Sequence, residues 1–302
     1  MDNGVCLLGG NGFIGEHLIK NFNNSYSVSL RSGNWEDEIL KKAPSTIINL
    51  VGKAHDHSGT ATKEDYYYAN LTLAKKAFEI FLNSSASLFI HISSIAAIEE
   101  YHRPEILVEE SIGNPLSYYG KSKQAAEYWL LKQKLPKDKQ LVILRPPMVH
   151  GANDKGNLGL LFKFVEKGLP YPLGAFKNKR SFISIQNFVF IIENIIERRT
   201  NLTSIIYNIS DDEPIATDEI IFLIGRLLRK KTKALNLPKK LVSFFAACGD
   251  FFHLPINSKK LKKLTGTLIV SNAKLKKDLN IERLKLNAID GLEITIQSFL
   301  KK

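Results

Sequence analysis

Cysteine is almost missing from this 302-residue chain, which has only Cys6 and Cys248. Two thiols so far apart exclude a disulfide framework and supply no zinc-ligand spacing. Cys6 falls inside the first apolar run and reads as a buried thiol. Long apolar runs are missing too. No segment approaches the roughly 20 residues of a membrane span. The first apolar run, Val5 to Leu8, is too short for the core of a signal peptide and leads straight into glycines. There is no internal repeat and no low-complexity tract. Together these gaps predict a soluble, cytoplasmic protein with no stable membrane insertion. Acid is scarce, 30 residues against 42 basic ones, for a formal net charge of +12. Such an excess suits an acidic ligand such as a nucleotide, but equally nucleic acid or a membrane surface. Charge alone does not choose among them.

What is present is ordinary for a globular chain: 44% hydrophobic and 24% charged residues. That permits one large domain or two modest ones, each with a core. The first half alternates strand-like and helical patterns. Strands are predicted at Val5–Leu8, Tyr26–Leu30, Thr46–Val51, Leu88–Ile92 and Leu141–Leu144. Helices are predicted from Gly12 to Phe22, from about Tyr66 to Leu82, and from Ser117 to Lys132. Strand runs apolar on both faces, alternating with helices, predict an α/β fold with a doubly wound parallel sheet of the Rossmann type. After Pro146-Pro147 the pattern loosens into a Gly-, Pro-, Asn- and Lys-rich excursion. Phe182–Ile185 and Ile205–Ile209 read as late strands returning to the sheet. The remainder is mostly helical. The predicted division is a dinucleotide-binding domain of residues 1–150 and 182–212, and a smaller, mostly helical substrate domain of residues 151–181 and 213–302.

Gly9-Gly-Asn-Gly12-Phe-Ile-Gly15 follows the first strand and opens a helix. Glycine lets the backbone turn sharply and approach a pyrophosphate, whose charge sits at the helix N-terminus over Gly12, Phe13 and Ile14. A tight strand-to-helix turn needs glycine as well, but the position after the first strand favours a dinucleotide. A carboxylate roughly 20 residues on would hold the ribose 2′-hydroxyl of NAD. Here Leu30 is followed by Arg31, Ser32 and Gly33. Arg31 suits a 2′-phosphate, so NADP(H) is favoured, with NAD(H) the alternative.

Tyr119 and Lys123 stand four apart on one predicted helical face. Tyr118 has Ser122 at that spacing, which leaves Tyr119 as the tyrosine with a lysine partner. A nearby ammonium favours phenolate and lets a tyrosine exchange protons near neutral pH. Tyr-x-x-x-Lys arises often by chance. The strand Leu88–Ile92 raises its weight, because it ends in Ser93 and Ser94 at the strand ends where open α/β sheets bind ligands. Ser94 is the preferred partner for a reacting oxygen.

Taken together, these elements resemble the extended short-chain dehydrogenase/reductases, the NAD-dependent epimerase/dehydratase family, along essentially the whole chain. Gly9, Gly12 and Gly15 match the family's loop, and Ser94, Tyr119 and Lys123 match its catalytic triad. The resemblance implies cofactor contacts at Leu50, Val51, Gly52, Lys53 and Asn70, at Pro147 beside the nicotinamide, and at Tyr119 and Lys123 themselves. Within the family, Ser93-Ser-Ile95, Arg145-Pro-Pro-Met-Val149, Lys155-Gly-Asn157, Gly168-Leu-Pro-x-Pro-Leu-Gly174 and Arg180-Ser-Phe-Ile183 are similar to reductases of UDP-4-keto-6-deoxy-N-acetylhexosamines. The products of those enzymes feed bacterial surface polysaccharides such as O-antigen and capsule. The resemblance implies a UDP-linked amino-sugar substrate contacted by Ser94, Tyr119, Met148, Asn157, Leu158, Leu173, Gly174 and Arg180, with the uracil against Leu173 and Gly174. It also implies a homodimer. Met148 and His150 depart from the family's usual asparagine and tyrosine.

Hydride transfer to the C4 ketone is therefore the leading expectation. A UDP-hexose 4-epimerase holding NAD is the alternative, and a non-catalytic nucleotide sensor on the same fold is a third. A dehydratase fits less well, because Ile95 and Ala96 stand where an acid/base pair is needed. No motif supports a nucleic-acid partner. His55-Asp-His57 lacks the further ligands of a metal site. Val242–Phe252, with lysines around it, would suit a membrane surface, but Gly249 and Asp250 interrupt it. It is expected to lie in the core of the substrate domain.

Overall fold

The computed structural model describes residues 4–54, 60–152, 157–251 and 257–301. Its strands are β1 (Val5–Leu8), β2 (Ser25–Val28), β3 (Thr46–Asn49), β4 (Leu88–Ile92), β5 (Gln140–Arg145), β6 (Met148–His150), β7 (Phe182–Ser184) and β8 (Ile206–Asn208). The helices of the first half are α1 (Phe13–Asn21), α2 (Trp35–Lys42), α3 (Lys63–Tyr67), α4 (Leu73–Asn83) and α5 (Tyr118–Leu131). Those of the second half are α6 (Asn157–Glu166), α7 (Ile185–Arg198), α8 (Thr217–Leu227), α9 (Lys239–Phe251), α10 (Ser258–Thr265), α11 (Ala273–Asp278) and α12 (Ala288–Leu300).

Six strands form one parallel sheet in the order β2-β1-β3-β4-β5-β8. The chain reverses its direction of winding between β1 and β3, so the carboxyl ends of these two strands border a crevice where ligands of such sheets bind. Strand side chains alternate between the faces, and both faces are covered. Leu7, Ile48, Ile90, Val142 and Leu144 pack under Phe188, Ile191, Ile192 and Ile195 of α7. Cys6, Leu8, Ile47, Phe89, Leu141 and Ile143 pack under Phe78 and Phe81 of α4, Ile39 of α2 and Leu130 of α5. Burial on both faces accounts for the continuous apolar runs in the sequence. A second core gathers α6, α8 and α12 through Leu158, Phe162, Ile220, Ile224, Leu292 and Ile296.

Several expectations differ from the structure. The helix expected from about Tyr66 to Leu82 is broken into α3, a π turn at Tyr68–Thr72 and α4. Phe182–Ile185 does not return to the sheet. Phe182 to Ser184 pairs with β6 in a separate two-stranded ribbon, and Ile185 already belongs to α7, whose N-cap is Ser184. The Ile205–Ile209 segment does return, as β8 on the edge beside β5. The 242–252 segment meets the expected core on one side only, where Val242 and Ala246 pack into the second core. Phe244 and Phe245 of α9 are both 62% exposed, whereas Ala246 and Gly249 are buried and Val242 is half-buried. No helix among the described residues is long and apolar enough to cross a membrane.

Candidate active site

The β1–α1 turn is built for close approach. Gly9 has φ +81, a conformation that L side chains rarely adopt, and its carbonyl accepts from Gly12 N at 3.2 Å. A Cβ on Gly15 would lie 2.4 Å from the Gly10 backbone, so only glycine lets α1 start this close to the turn. The N-cap, Gly12, provides no side-chain cap. The first N–H groups of α1, from Phe13 onward, therefore have no side-chain acceptor and carry the positive end of the helix dipole. Arg31 is exposed, just past β2, with its N–H donating to Ser29 Oγ at 3.4 Å.

Across the crevice, Leu50 to Lys53 leave β3 as a partly exposed strip. Asn70 braces this strip from the π turn. Fully buried, it accepts from Lys53 N at 2.9 Å, donates to Lys53 O at 3.2 Å and donates to Ser122 Oγ at 2.9 Å. Its amide is thus committed to protein groups. It fixes the strip that was expected to line the cofactor rather than facing the crevice itself. π turns inside helices are frequent at functional sites because they re-aim side chains in this way.

Ser94, Tyr119 and Lys123 are brought together. Ser117 caps α5 by accepting from Gly120 N at 3.0 Å, and Glu100 accepts from Ser117 N at 2.8 Å and from the Ser117 hydroxyl. Gly120 lies against the turn after β4, where a Cβ would sit 2.4 Å from Ala96 O. That contact sets the first turn of α5 beside Ser94, whose Oγ accepts from Ala96 N at 3.2 Å and whose side chain is near enough to Tyr119 to act on its phenol. Tyr118, by contrast, is 50% exposed. Burial pushes the Tyr119 phenol up, the Ser94 hydroxyl draws it down, and the Glu100 charge pushes it up. Lys123 is buried and donates to Ile92 O at 2.9 Å. Burial draws its ammonium down to about 8, opposed by the charge of Glu127.

Behind these residues lies a network that the sequence reading missed. Glu127, one turn beyond Lys123, accepts from Ser93 Oγ at 2.5 Å and pairs with Arg145 Nη2 at 2.7 Å. Arg145 also reaches Glu109 O at 3.0 Å. The i, i+4 spacing of Lys123 and Glu127 was available as a signal; the pairing with β5 was not. His91 is also fully buried on β4, with Nδ1 3.1 Å from Asn49 Nδ2, and burial holds its ring well below the usual histidine range.

The expected substrate residues are less gathered. Pro147 is buried and Met148 half-buried at the start of β6. The side chains of Leu158 and Leu173 are buried in the second core, so only their backbone is left to meet a ligand. Gly174 packs against the 234–236 segment. The Arg180 guanidinium points inward, donating to Tyr101 O at 3.0 Å, Gly266 O at 3.1 Å and Glu100 O at 3.4 Å. Burial draws it down to about 10. An inward guanidinium satisfied by carbonyls corrects the expectation of a phosphate clamp presented to the crevice. His150 is fully buried between Thr295 Oγ1 at 2.9 Å and Asp211 Oδ2 at 3.7 Å, so it packs rather than binds. The side chain of Asn157, and the residues Lys155, Gly156, His55, Asp56 and His57, lie outside the described residues.

The donor set fits a nicotinamide dinucleotide: an uncapped helix N-terminus behind a glycine turn, a braced strip at the switch point, and a tyrosine–serine pair beside a buried ammonium. Comparison with known proteins agrees. The model of the NAD dependent epimerase/dehydratase family matches residues 5–210. The chain is 27% identical to a UDP-glucose 4-epimerase of Vibrio cholerae, covering 100% of this chain and 97% of that protein. It is 26% identical to the N-acetyl-alpha-D-glucosaminyl-diphospho-ditrans,octacis-undecaprenol 4-epimerase of Escherichia coli O157:H7, covering 92% of this chain and 86% of that protein. A crystal structure of UDP-glucuronic acid 4-epimerase from Bacillus cereus in complex with NAD superposes with a TM-score of 0.76 over 99% of both chains, at 17% identity. At that identity the superposition speaks for the fold.

Proposed function

The chain belongs to the NAD dependent epimerase/dehydratase family, and from that premise we propose that it moves hydride at C4 of a nucleotide-linked hexose, as a UDP-sugar 4-epimerase. The observation that carries the C4 chemistry is the juxtaposition of Ser94 with Tyr119, one turn before the buried Lys123 on the same helix. The epimerase form is favoured by the two relatives that span nearly all of the chain, both 4-epimerases by name.

Gly9, Gly12, Phe13, Ile14 and Gly15 would hold the pyrophosphate of a dinucleotide, Arg31 its adenosine ribose, and Leu50 to Lys53 and Pro147 its nicotinamide half. A nicotinamide held there would supply hydride exchange at C4. Tyr119 takes the C4 hydroxyl proton as the ketone forms and gives it back on reduction. Ser94 holds the same oxygen by a hydrogen bond, which stabilises charge developing there. Lys123, charged and shielded from water, favours the phenolate. Met148, with the 157–158 segment and Gly174 from residues 151–181, belongs to the sugar-nucleotide side. A non-catalytic sensor has no need of these three side chains in register. Replacing Tyr119 by Phe lowers turnover by roughly 10²–10⁴ while dinucleotide binding persists; undiminished turnover overturns the assignment.

A second reading, the NADPH-dependent 4-reductase of a UDP-4-keto-6-deoxy-N-acetylhexosamine, rests on Arg31 and on the absence of a carboxylate from Ser29 to Gly33. The name of the Escherichia coli relative includes an N-acetylglucosaminyl group, which keeps N-acetylamino sugars among the substrates to test. One experiment separates the two forms: denature the purified protein and identify the nicotinamide released. Stoichiometric NAD supports the epimerase. An empty protein that binds NADPH more tightly than NADH supports the reductase.

A further inference from the structure

The charge of this chain is concentrated in one place. Between Arg229 and Lys263 there are ten basic residues and a single acid, Asp250, whereas the rest of the chain is nearly balanced. The segment forms the run into α9, then α9 and α10, which pack on each other. On α9, Leu241, Phe244 and Phe245 are 43%, 62% and 62% exposed. Their i, i+3, i+4 spacing puts them on one helical face, and half-buried Cys248 continues it at i+7. The side at Ala246 and Gly249 is the buried one. This helix therefore seats Val242, Ala246 and Gly249 against the protein and turns Leu241, Phe244 and Phe245 to solvent. Exposed lysines accompany the stripe in the chain, at Lys230, Lys231 and Lys233 in the run before α9, at Lys239, which reaches over the Phe176 ring, at Lys240 immediately before Leu241, and at Lys262 on α10, which packs on α9.

We propose that the exposed Leu241–Phe244–Phe245 face of α9, with the lysines around it, docks peripherally on an anionic phospholipid surface. An apolar helix face rimmed by lysine is the pattern of interfacial helices, whose rings enter the headgroup boundary while the ammonium groups meet anionic lipid. Charge complementarity argues for this occupant. A second copy of the chain would bring its own cluster of like charge to the same face. A nucleic acid would use the lysines but leave the phenylalanine stripe without a role. The surface also borders the candidate sugar-nucleotide side. Lys233 O and Leu235 O accept from Tyr171 N and Gly174 N, and α10 leads into Gly266, whose carbonyl holds Arg180. Docking is independent of the C4 chemistry proposed above and stands or falls apart from it.

The test is flotation of the full-length protein with vesicles of phosphatidylcholine alone and of phosphatidylcholine mixed with phosphatidylglycerol, at low and high salt. The protein floats with the anionic vesicles at low salt and much less with the neutral ones. Phe244→Ser with Phe245→Ser lowers partition on the order of a hundredfold, from the lost apolar insertion. Lys240→Glu with Lys262→Glu lowers it by roughly thirtyfold or more, from about 1 kcal/mol per cation. Both pairs alter exposed residues, and both variants keep the thermal midpoint and dinucleotide binding of the parent, so a fault in one pair leaves the other decisive. The proposal is overturned if the parent floats with neither vesicle, or if both pairs float as well as the parent. It is also overturned if the phenylalanines are needed only for dimerisation in sedimentation, or if the lysines serve only polynucleotide binding while vesicles are ignored.

Discussion

Glu127 and Arg145 meet in a buried ion pair, Oε2 to Nη2 at 2.7 Å, with side chains 1% and 6% exposed. The pair joins α5 to β5, the helix that carries Tyr119 and Lys123 to the strand beside β4, which leads into Ser94. Removing one member strands a charge in a dry place, so Arg145→Met lowers stability by about 3–5 kcal/mol. The double variant Arg145→Met, Glu127→Leu recovers much of that loss. Chemical denaturation of the three proteins measures it, and an unaltered single variant refutes the role.

Lys123 makes stability and turnover depend on pH in opposite directions. Its folded value is about 8 against 10.5 for the free side chain. Between those two pH values the unfolded chain binds the proton that the folded chain has released. Unfolding free energy therefore rises with pH across that window, by on the order of 3 kcal/mol in total. Lys123→Met lacks this rise, and the difference between the two denaturation series isolates the residue. Turnover falls above about pH 8 as the ammonium is lost. Glu127→Gln, which removes a charge that holds the proton on, shifts that alkaline fall to lower pH. A fall that stays in place in Glu127→Gln would show that another group governs it.

Two glycines of the same turn separate folding from binding. In Gly15→Ala the new Cβ meets the Gly10 backbone at 2.4 Å, which has nowhere to go. Stability drops by about 1–3 kcal/mol, and dinucleotide affinity drops with it. In Gly12→Ala the new Cβ meets only Gly9 O at 3.5 Å, and φ is an ordinary −85. That variant keeps its thermal midpoint but loses roughly tenfold or more in dinucleotide affinity, about 1.4 kcal/mol. Thermal scans and titration of NAD and NADP read both. Equal affinity in Gly12→Ala and the parent would remove this turn from the binding site.

Arg31 sets cofactor choice if the 2′-phosphate lies beside it. Arg31→Asp exchanges the fork that suits phosphate for a carboxylate that suits a ribose hydroxyl. The NADP-to-NAD ratio of kcat/KM then falls by roughly 10–100-fold. A ratio that does not move assigns Arg31 to the solvated surface.

The parts of this protein legible in its sequence are those written locally. The glycine turn needs three glycines within seven residues, and the Tyr119–Lys123 face needs only helical spacing. β4 was legible to the residue because both of its faces are buried. What escaped was written across distance. Arg145 reads as the residue that follows an apolar strand and opens the Arg145-Pro-Pro-Met-Val149 motif, and nothing nearby shows that Glu127 and the Glu109 carbonyl await it. Arg180 reads as an anion ligand until Tyr101 and Gly266, far off in the chain, offer their carbonyls. Helix α2 escaped because its eight residues bury only Trp35 and Ile39 and, apart from Leu40, are otherwise charged. Helix α9 misled in the other sense. Its aromatic content suggests a core, but helical phase directs Phe244 and Phe245 outward.

The π turn at Tyr68–Thr72 bears on any attempt to stabilise the protein. A π turn holds one residue more than the α-helix around it requires, and that surplus rotates everything upstream by about 100° relative to α4. Deleting one residue there would let Lys63–Asn83 run as a single regular helix, the choice an optimiser of helical hydrogen bonds would make. The same deletion would swing Asn70 out of its place between Lys53 and Ser122 and release the strip at the switch point. The irregularity is thus a setting of register, and a redesign that irons it out trades a working crevice for a straighter helix.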